Sequence, residues 1–428
     1  MYLLTCVQKN LQSILFQLKK ILFFLAFMNT TQAVANYAYV ANSCSDTVSV
    51  IDTTTFAVVA TIPVGDNPQG IAIDPFQRFV YVSNASDNSI SIIDTNTLTV
   101  TDVISSGFSG PLGIAFTPIG DYAYVANNGE NTVSVINTQT KTLSTLITVG
   151  TWPVSIVITS DGNYAYVTNN FDSTVSVIDI TTNSVIDTIS VGSFPFGIAS
   201  KPNGEFLFVT NYSSNNVSII DTTTNTTVAS PIPVGNNPRY LAVTPNGNFV
   251  YVANSSDDTI SVINAQNYTV IENINSVGAT PFGVAITPDG NFVFVTNNGS
   301  DNVIVIDTSS NQIVATIPVG GLPQAIVITG NPLQVLPPSN LLGKKQINIF
   351  PFQKQFANIL TWTPSPSQTI ISYKIYRDGQ FLADIPAGKK LAYVYTDFSI
   401  DRKKSYTYSV SAVNILNIES CPISVFIK

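Results

Sequence analysis

An all-β fold, a ring of short antiparallel sheets followed by a smaller β-domain, is what this sequence predicts. Three observations carry that expectation. A tetrapeptide recurs: Tyr39-Val40-Ala41-Asn42, then YVSN ending at Asn84, YVAN at Asn127, YVTN at Asn169, FVTN at Asn211, YVAN at Asn254 and FVTN at Asn297. The intervals between those asparagines are 42, 43, 42, 42, 43 and 43 residues, and a fixed period of that size marks a repeat architecture. Between the copies lie strand-forming runs punctuated by turn residues. Near residue 331 the period stops and a different alternating pattern begins.

One repeat, Pro281 to Gly320, gives the elements in order. Phe282 to Ile286 reads as a short strand with small residues at alternate positions. Pro288-Asp289-Gly290-Asn291 is a tight-turn signal. Phe292 to Thr296 is a β-branched and aromatic strand, followed by a loop over Asn297 to Asp301. Asn302 to Asp307 is a third strand, Thr308 to Asn311 a turn, and Gln312 to Ile317 a fourth strand. Four antiparallel strands per repeat of this length make one β-propeller blade. The N-terminal copy starts at a second strand, Tyr37 to Asn42, with no first strand before it. The missing strand stands at the far end, Gln324 to Thr329. The prediction is a seven-bladed β-propeller closed by a C-terminal strand, which argues against a β-solenoid because closure leaves no open inner edge.

These copies, with VSVID after the motif (Val48 to Asp52, Val175 to Asp179) and TIPVG before a proline (Thr61 to Pro68, Thr316 to Pro323), resemble the YVTN β-propeller repeat family. That family comprises extracytoplasmic and cell-surface proteins, and the resemblance covers residues 36–331. It implies the fold and leaves the activity open, since propellers host unrelated functions. The motif asparagines (Asn42, Asn84, Asn127, Asn169, Asn211, Asn254, Asn297) read as structural, ending a strand where a polar side chain satisfies loop backbone. Asp52, Asp94, Asn137, Asp179, Asp221, Asn264 and Asp307 close the third strands and suit Asx-type turns.

Residues 1–35 read as a signal peptide. Lys19-Lys20 precede the apolar run Ile21 to Met28, and Thr31-Gln32-Ala33 and Ala33-Val34-Ala35 are small-x-small cleavage patterns. The run is shorter than the ~20 residues of a membrane span. An uncleaved anchor is the alternative, and no integral span is expected after cleavage. Charged residues are only 10% of the 428, so Asn, Ser, Thr and Gly must carry the surface, as in many extracytoplasmic β-proteins. Of the 3 cysteines, Cys6 falls in the leader. Cys44 and Cys421 fall in different domains, and an interdomain disulfide is one open reading. There is no histidine, which removes the commonest general base and metal ligand. No cofactor or metal is expected. Residues 36–335 carry four basic residues (Arg78, Lys141, Lys201, Arg239) against 21 acidic ones. A net charge of −17 makes a poor nucleic-acid partner.

After a Pro-rich linker, 332–340, residues 341–428 alternate as a β-sandwich does. Trp362, the run Tyr373 to Gly379, and Tyr406 to Asn414 resemble a fibronectin type III domain. The resemblance makes Trp362 the core tryptophan and Tyr406 the tyrosine-corner residue, in a spacer or adhesion module. This segment carries 11 basic and 5 acidic residues.

Loops after the YVTN motif and loops before the Pro-led first strands should open on one face. Most are Ser, Asn, Gly and Asp. One sector departs: Trp152, Phe171, Phe194, Phe196, Tyr212, Arg239 and Tyr240, with Phe282 beyond. These residue types anchor interfaces, and the sector is read as a site for a protein segment or a glycan of the cell envelope, with Arg239 holding a carboxylate. Gap-filling between blades is the competing reading. A non-enzymatic binding or scaffold protein is expected. A surface-layer or adhesion component is the first alternative, and a lactonase- or oxidoreductase-like propeller enzyme is the one the missing histidine disfavours.

Overall fold

The computed structural model describes residues 36–330 except 229 and 276, and beyond them 339–350, 353–363, 370–378, 380–387, 393–397, 400, 404–414 and 423–427. Two compact units divide the chain, Met1–Asn36 and Tyr37–Lys428. Of the first only Asn36 is described, so the expected signal segment lies outside the described residues, as do residues 332–338 of the expected linker and Cys421. Every described element is a β-strand. Among the described residues no helix is long and apolar enough to cross a membrane.

Each repeat forms one open antiparallel sheet in simple meander order. The sheet of Pro68–Ile73, Phe79–Asn84, Ser89–Asp94 and Thr99–Ile104 is typical. Second and third strands are buried along nearly their whole length, whereas outer strands alternate between exposed and covered positions. That contrast follows from stacking. Inner strands are covered on both faces, so they read as continuous Val, Ile, Ala and Tyr runs, and only the outer strand keeps a wet side. Core clusters accordingly straddle neighbouring sheets: Tyr251, Ile260 and Val262 of one sheet pack with Val293, Val295 and Ile306 of the next.

The outer strand of one sheet is broken into two short pairs, Thr226–Thr227 and Ile232–Pro233. The first sheet in the chain takes its inner strand from far along the sequence. Pro323–Ile328 pairs antiparallel with Tyr37–Asn42 through Ala38↔Ile328, Tyr39↔Val327 and Val40↔Ile326. Ala38, Val40, Ile51 and Ile326 of that sheet share a core with Phe294, Val303, Val305 and Ile317.

The motif asparagines have different partners from those expected. Asn42 Nδ2 donates to the Thr47 and Ser49 hydroxyls (3.1 and 2.9 Å), and Asn84 Nδ2 to Ser89 and Ser91. Their amides therefore tie second strand to third by side chains, and among the described residues loop backbone is reached only by Asn297, which donates to the Val277 carbonyl (2.6 Å). A glycine of the preceding loop lies close against each of these amides except that of Asn127. A Cβ on Gly192 would stand 2.6 Å from Asn211 Cγ. The Asx turns form as expected: Asp52 Oδ1 accepts the N–H groups of Thr54 and Thr55 (2.8 and 2.9 Å).

Beyond residue 338, Ser339–Phe350 pairs with Gln353–Thr363, and Ile370–Arg377 pairs with Gln380–Pro386 and Tyr406–Asn414. The first of these strands begins inside the span expected as linker. Leu360 and Trp362 of one sheet share a core with Tyr373, Ile375, Tyr408 and Val410 of the other. Trp362 (1% exposed) and Tyr406 are buried there. Tyr408 donates to Asp397 (2.6 Å), which also binds Arg377 (2.8 Å).

Candidate binding face

The loops flanking each motif asparagine and each Pro-led strand do lie together, joined by backbone bonds such as Ala85 N–H to the Asn67 carbonyl (3.0 Å) and Tyr212 N–H to the Phe194 carbonyl (2.9 Å). Acidic and amide side chains of this face clasp the loop of the next repeat. Asp46 caps Asn67 N–H (2.9 Å), Asn131 caps Trp152 N–H (3.0 Å), Asp258 caps Thr280 N–H (2.8 Å) and Asp301 caps Leu322 N–H (2.8 Å). Asp87, Asp172 and Asp257 cap loop amides likewise. These carboxylates are occupied with structure, and among the described residues no group of three acidic or cysteine side chains is placed to hold a metal ion.

The predicted sector resolves into two clusters. At the rim, Trp152, Phe171 and Phe194 are 47%, 57% and 36% exposed. Their rings touch in sequence, Trp152 to Phe171 at 5.1 Å and Phe171 to Phe194 at 6.5 Å between centroids. Trp152 and Phe194 both stand at left-handed φ, 56° and 55°, where the same position is Asn67, Gly110, Asn237, Thr280 or Leu322 in other repeats. Asparagine tolerates that conformation; a bulky side chain there is strained by about 1–2 kcal/mol.

The second cluster is deeper and is not on loops. Phe196, Arg239, Tyr240 and Phe282 belong to the Pro-led strands Pro195–Ser200, Pro238–Val243 and Pro281–Ile286, where packing holds them more tightly than the sequence suggested. Phe196, Tyr240 and Phe282 form a triangle of rings 5.3–5.7 Å apart. The Arg239 guanidinium lies 4.6 Å from the Tyr212 ring, 4.8 Å from Phe196 and 5.0 Å from Phe282.

Among the described residues no carboxylate pairs with Arg239, in contrast to Arg78 with Asp74 and Lys141 with Asp102. Its Nε is buried without a partner. Burial works against the charge and is only partly countered by the phenols of Tyr212 and Tyr240. Since a guanidinium does not deprotonate in proteins, this is a half-buried charge held by ring faces and by the Tyr212 phenol.

Why the rings meet here follows from the third position of each Pro-led strand. It is Gly70, Gly113, Ser155, Gly197, Gly283 and Ala325, and once Tyr240. Neighbouring strands approach so closely that a Cβ on Gly283 would stand 2.5 Å from the Gln324 carbonyl oxygen, and one on Gly197 2.8 Å from that of Arg239. Hydroxyls of the motif's third residue stitch the approach. Thr296 accepts from Gly283 N–H (2.7 Å) and donates to the Gln324 carbonyl (2.6 Å), and Ser83 does the same between Gly70 and Leu112. Tyr240 breaks the small-residue rule. Its side chain enters a cavity of about 130 Å³ lined by the inner strands, including Gly70, Gly113, Ser155 and Ala325. Burial pushes its phenol up to about 12. Aligning the Pro-led strands in register exposes this departure in the sequence; searching loops alone does not.

Repeated open sheets stacked on one another, with first strands lining a cavity, define a β-propeller. Residues 22–328 match the family described as YNCE-like beta-propeller, and the chain belongs to that family. No curated protein matches the chain. Among solved structures it is similar to a functionally unknown protein from Desulfotomaculum acetoxidans (19% identity, TM-score 0.63, covering 69% of this chain and 99% of that one). It is similar also to Kuenenia stuttgartiensis hydrazine synthase (23%, 0.55, 60% and 88%) and to dihydro-heme d1 dehydrogenase NirN in complex with DHE (15%, 0.55, 69% and 76%). At these identities the likeness is one of fold.

Proposed function

We propose that this protein is a non-enzymatic binding protein outside the cytoplasm, whose aromatic sector takes a protein segment or a glycan of the cell envelope. The single observation behind the reading is Arg239, a half-buried guanidinium without a carboxylate, set among Phe196, Tyr212 and Phe282 and beside the exposed ring series Trp152, Phe171 and Phe194. Unpaired, half-buried charge and strained, exposed aromatics both cost stability, and costs of that kind gather where a ligand is met.

The same reading takes the propeller as seven blades closed by Pro323–Ile328, on the strength of its pairing with Tyr37–Asn42 and the core that Phe294 shares with Ala38. It takes the signal peptide as removed, and the C-terminal sheets as a fibronectin type III-like spacer, supported by the core around Trp362. The experiment is capture of envelope-extract proteins and a glycan array by the full chain, beside Trp152→Ala and Arg239→Ala. Ligands retained by wild type and lost by both variants are expected. Unchanged binding of every ligand by both variants would refute the assignment of the site.

A further inference from the structure

We infer that the Arg239 cage takes a carboxylated sugar, a uronate, seated at the mouth of the channel with its carboxylate on the guanidinium edge. The inference rests on the binding reading above and names the chemistry of its ligand. Three features point to it. Ring faces of Phe196, Tyr212 and Phe282 stand 4.6–5.0 Å from the guanidinium carbon. With its faces so covered, the open approach is along its edge, the side on which a carboxylate binds in bidentate fashion. The Nε is closed to solvent and makes no hydrogen bond, while the side chain as a whole is only half-buried, so a carboxylate would meet its terminal N–H groups.

The fold does not need the charge. Gln69, Leu112, Val154 and Gln324 occupy the same strand position in other repeats, so an uncompensated arginine there is a cost that an incoming anion removes. The ligand's size and kind follow from its surroundings. The cavity that Tyr240 lines is only about 130 Å³ and does not include Arg239 or Phe196, so the ligand sits outside it and does not thread through. Exposed C–H faces of a pyranose match the half-buried ring of Phe196. A single anionic group is favoured over a polyanion, because Arg239 is one cation with no second basic side chain among the neighbours that act on its charge. A peptide would have to leave backbone N–H and C=O groups unpaired against rings.

The test is thermal unfolding and calorimetric titration of the full-length protein with methyl glucuronide, methyl glucoside, and an N-acetylated dipeptide bearing a free C-terminal carboxylate. Glucuronide is expected to raise the unfolding midpoint and glucoside to leave it unmoved. In Arg239→Gln the glucuronide affinity should fall about tenfold or more, while the ligand-free variant unfolds at or above the wild-type midpoint. Arg239→Lys, which keeps the charge and loses the fork, should fall in between.

Equal binding of glucuronide and glucoside, wild-type affinity in Arg239→Gln, or binding of the dipeptide in place of the glucuronide would each overturn the inference. A lowered midpoint of ligand-free Arg239→Gln together with no glucuronide response would assign Arg239 to packing alone. If the acidic sugar fails while a neutral glycan or peptide is still lost on Trp152→Ala, the aromatic-face reading stands without it.

Discussion

Substituting Asn183 by leucine should cost the protein about 2–4 kcal/mol, and the size of that loss can be worked from one contact between sheets. The Tyr124 hydroxyl, on a side chain 1% exposed, donates to Asn183 Oδ1 at 2.6 Å. Tyr166 and Tyr251 reach Asn225 and Asn311 in the same way, at 2.7 and 2.8 Å. Where the motif has phenylalanine, the partner is aromatic: Phe208 meets Tyr268 and Phe294 meets Phe56. Asn183→Leu strands a buried hydroxyl, about 1–3 kcal/mol, and puts leucine at φ 51°, about 1 kcal/mol more.

The protein contains the reverse case. The buried Tyr39 hydroxyl has no partner, and Leu98 stands at φ 54° at the corresponding turn position, packed in the core that includes Tyr39. Leu98→Asn should therefore gain about 1 kcal/mol after the loss of leucine packing is offset. Urea and thermal unfolding of both variants provide the assay, with an expected fall of about 4–8 °C for Asn183→Leu and a rise of about 2 °C for Leu98→Asn. If Asn183→Leu moves the midpoint by less than about 1 °C, or if both variants fall equally, the matching of tyrosine to asparagine across sheets does not stabilise the stack.

Stability should be level between about pH 5 and 9, because no histidine titrates there. It should then fall as pH rises from about 10, the unfolded tyrosine value, toward about 12. Burial, aided by nearby carboxylates, holds Tyr81 and Tyr251 up to about 12. The folded state thus keeps phenol protons that the unfolded chain has already lost, and alkali favours unfolding; a pH series of urea midpoints checks this. On the acid side, the Thr223 hydroxyl holds Asp221 below the usual carboxylate range, so that contribution is lost as pH drops below about 4. Gly283→Ala should cost about 1–3 kcal/mol by driving its Cβ against the Gln324 carbonyl, read by the same denaturation. Trp152→Asn should raise the unfolding midpoint by relieving about 1 kcal/mol of left-handed strain, while abolishing ligand capture on the array.

Much of the scaffold is legible in the sequence because its causes are local and repeated. Alternation, Asx turns at Asp52 and its equivalents, and the missing first strand each leave a mark on the chain. The partners of the motif asparagines are not legible, because a strand-ending amide can serve a loop or a hydroxyl equally well. Register decides for Thr47 and Ser49, which the antiparallel pairing brings beneath Asn42. The sector's aromatic and basic residues stand out by composition, yet their depth does not. Phe196 and Arg239 each follow the proline that opens a strand, and a proline boundary reads as loop until the pairing Pro195↔Asn211 is known. The roles of the rim acids are equally illegible, since nothing in the sequence shows that Asp46, Asp172 and Asp301 are committed to loop amides.

A scaffold built from many equivalent contacts explains why one sector can depart from the pattern at all. Each sheet is held by cores on both faces, so a strained residue or unpaired charge in one of them is outweighed by packing that does not depend on it. The departures are not scattered. The aromatic Trp152 and Phe194 at a left-handed position that also holds Thr280 and Leu322 elsewhere, the half-buried Arg239 and the outsized Tyr240 fall in three successive repeats. Other repeats fold with Asn67, Leu112 or Gly113 at the corresponding positions. Stability alone gives no reason to gather these costs on one side of the channel, whereas recognition does, because a ligand needs its anchors within one molecular length. Reverting Arg239 and Trp152 together to glutamine and asparagine should therefore stabilise the protein roughly additively, by about 1–3 kcal/mol, as separate sites do. A double variant less stable than wild type would mean that these side chains hold the sheets together, and the argument for a site would fall with it.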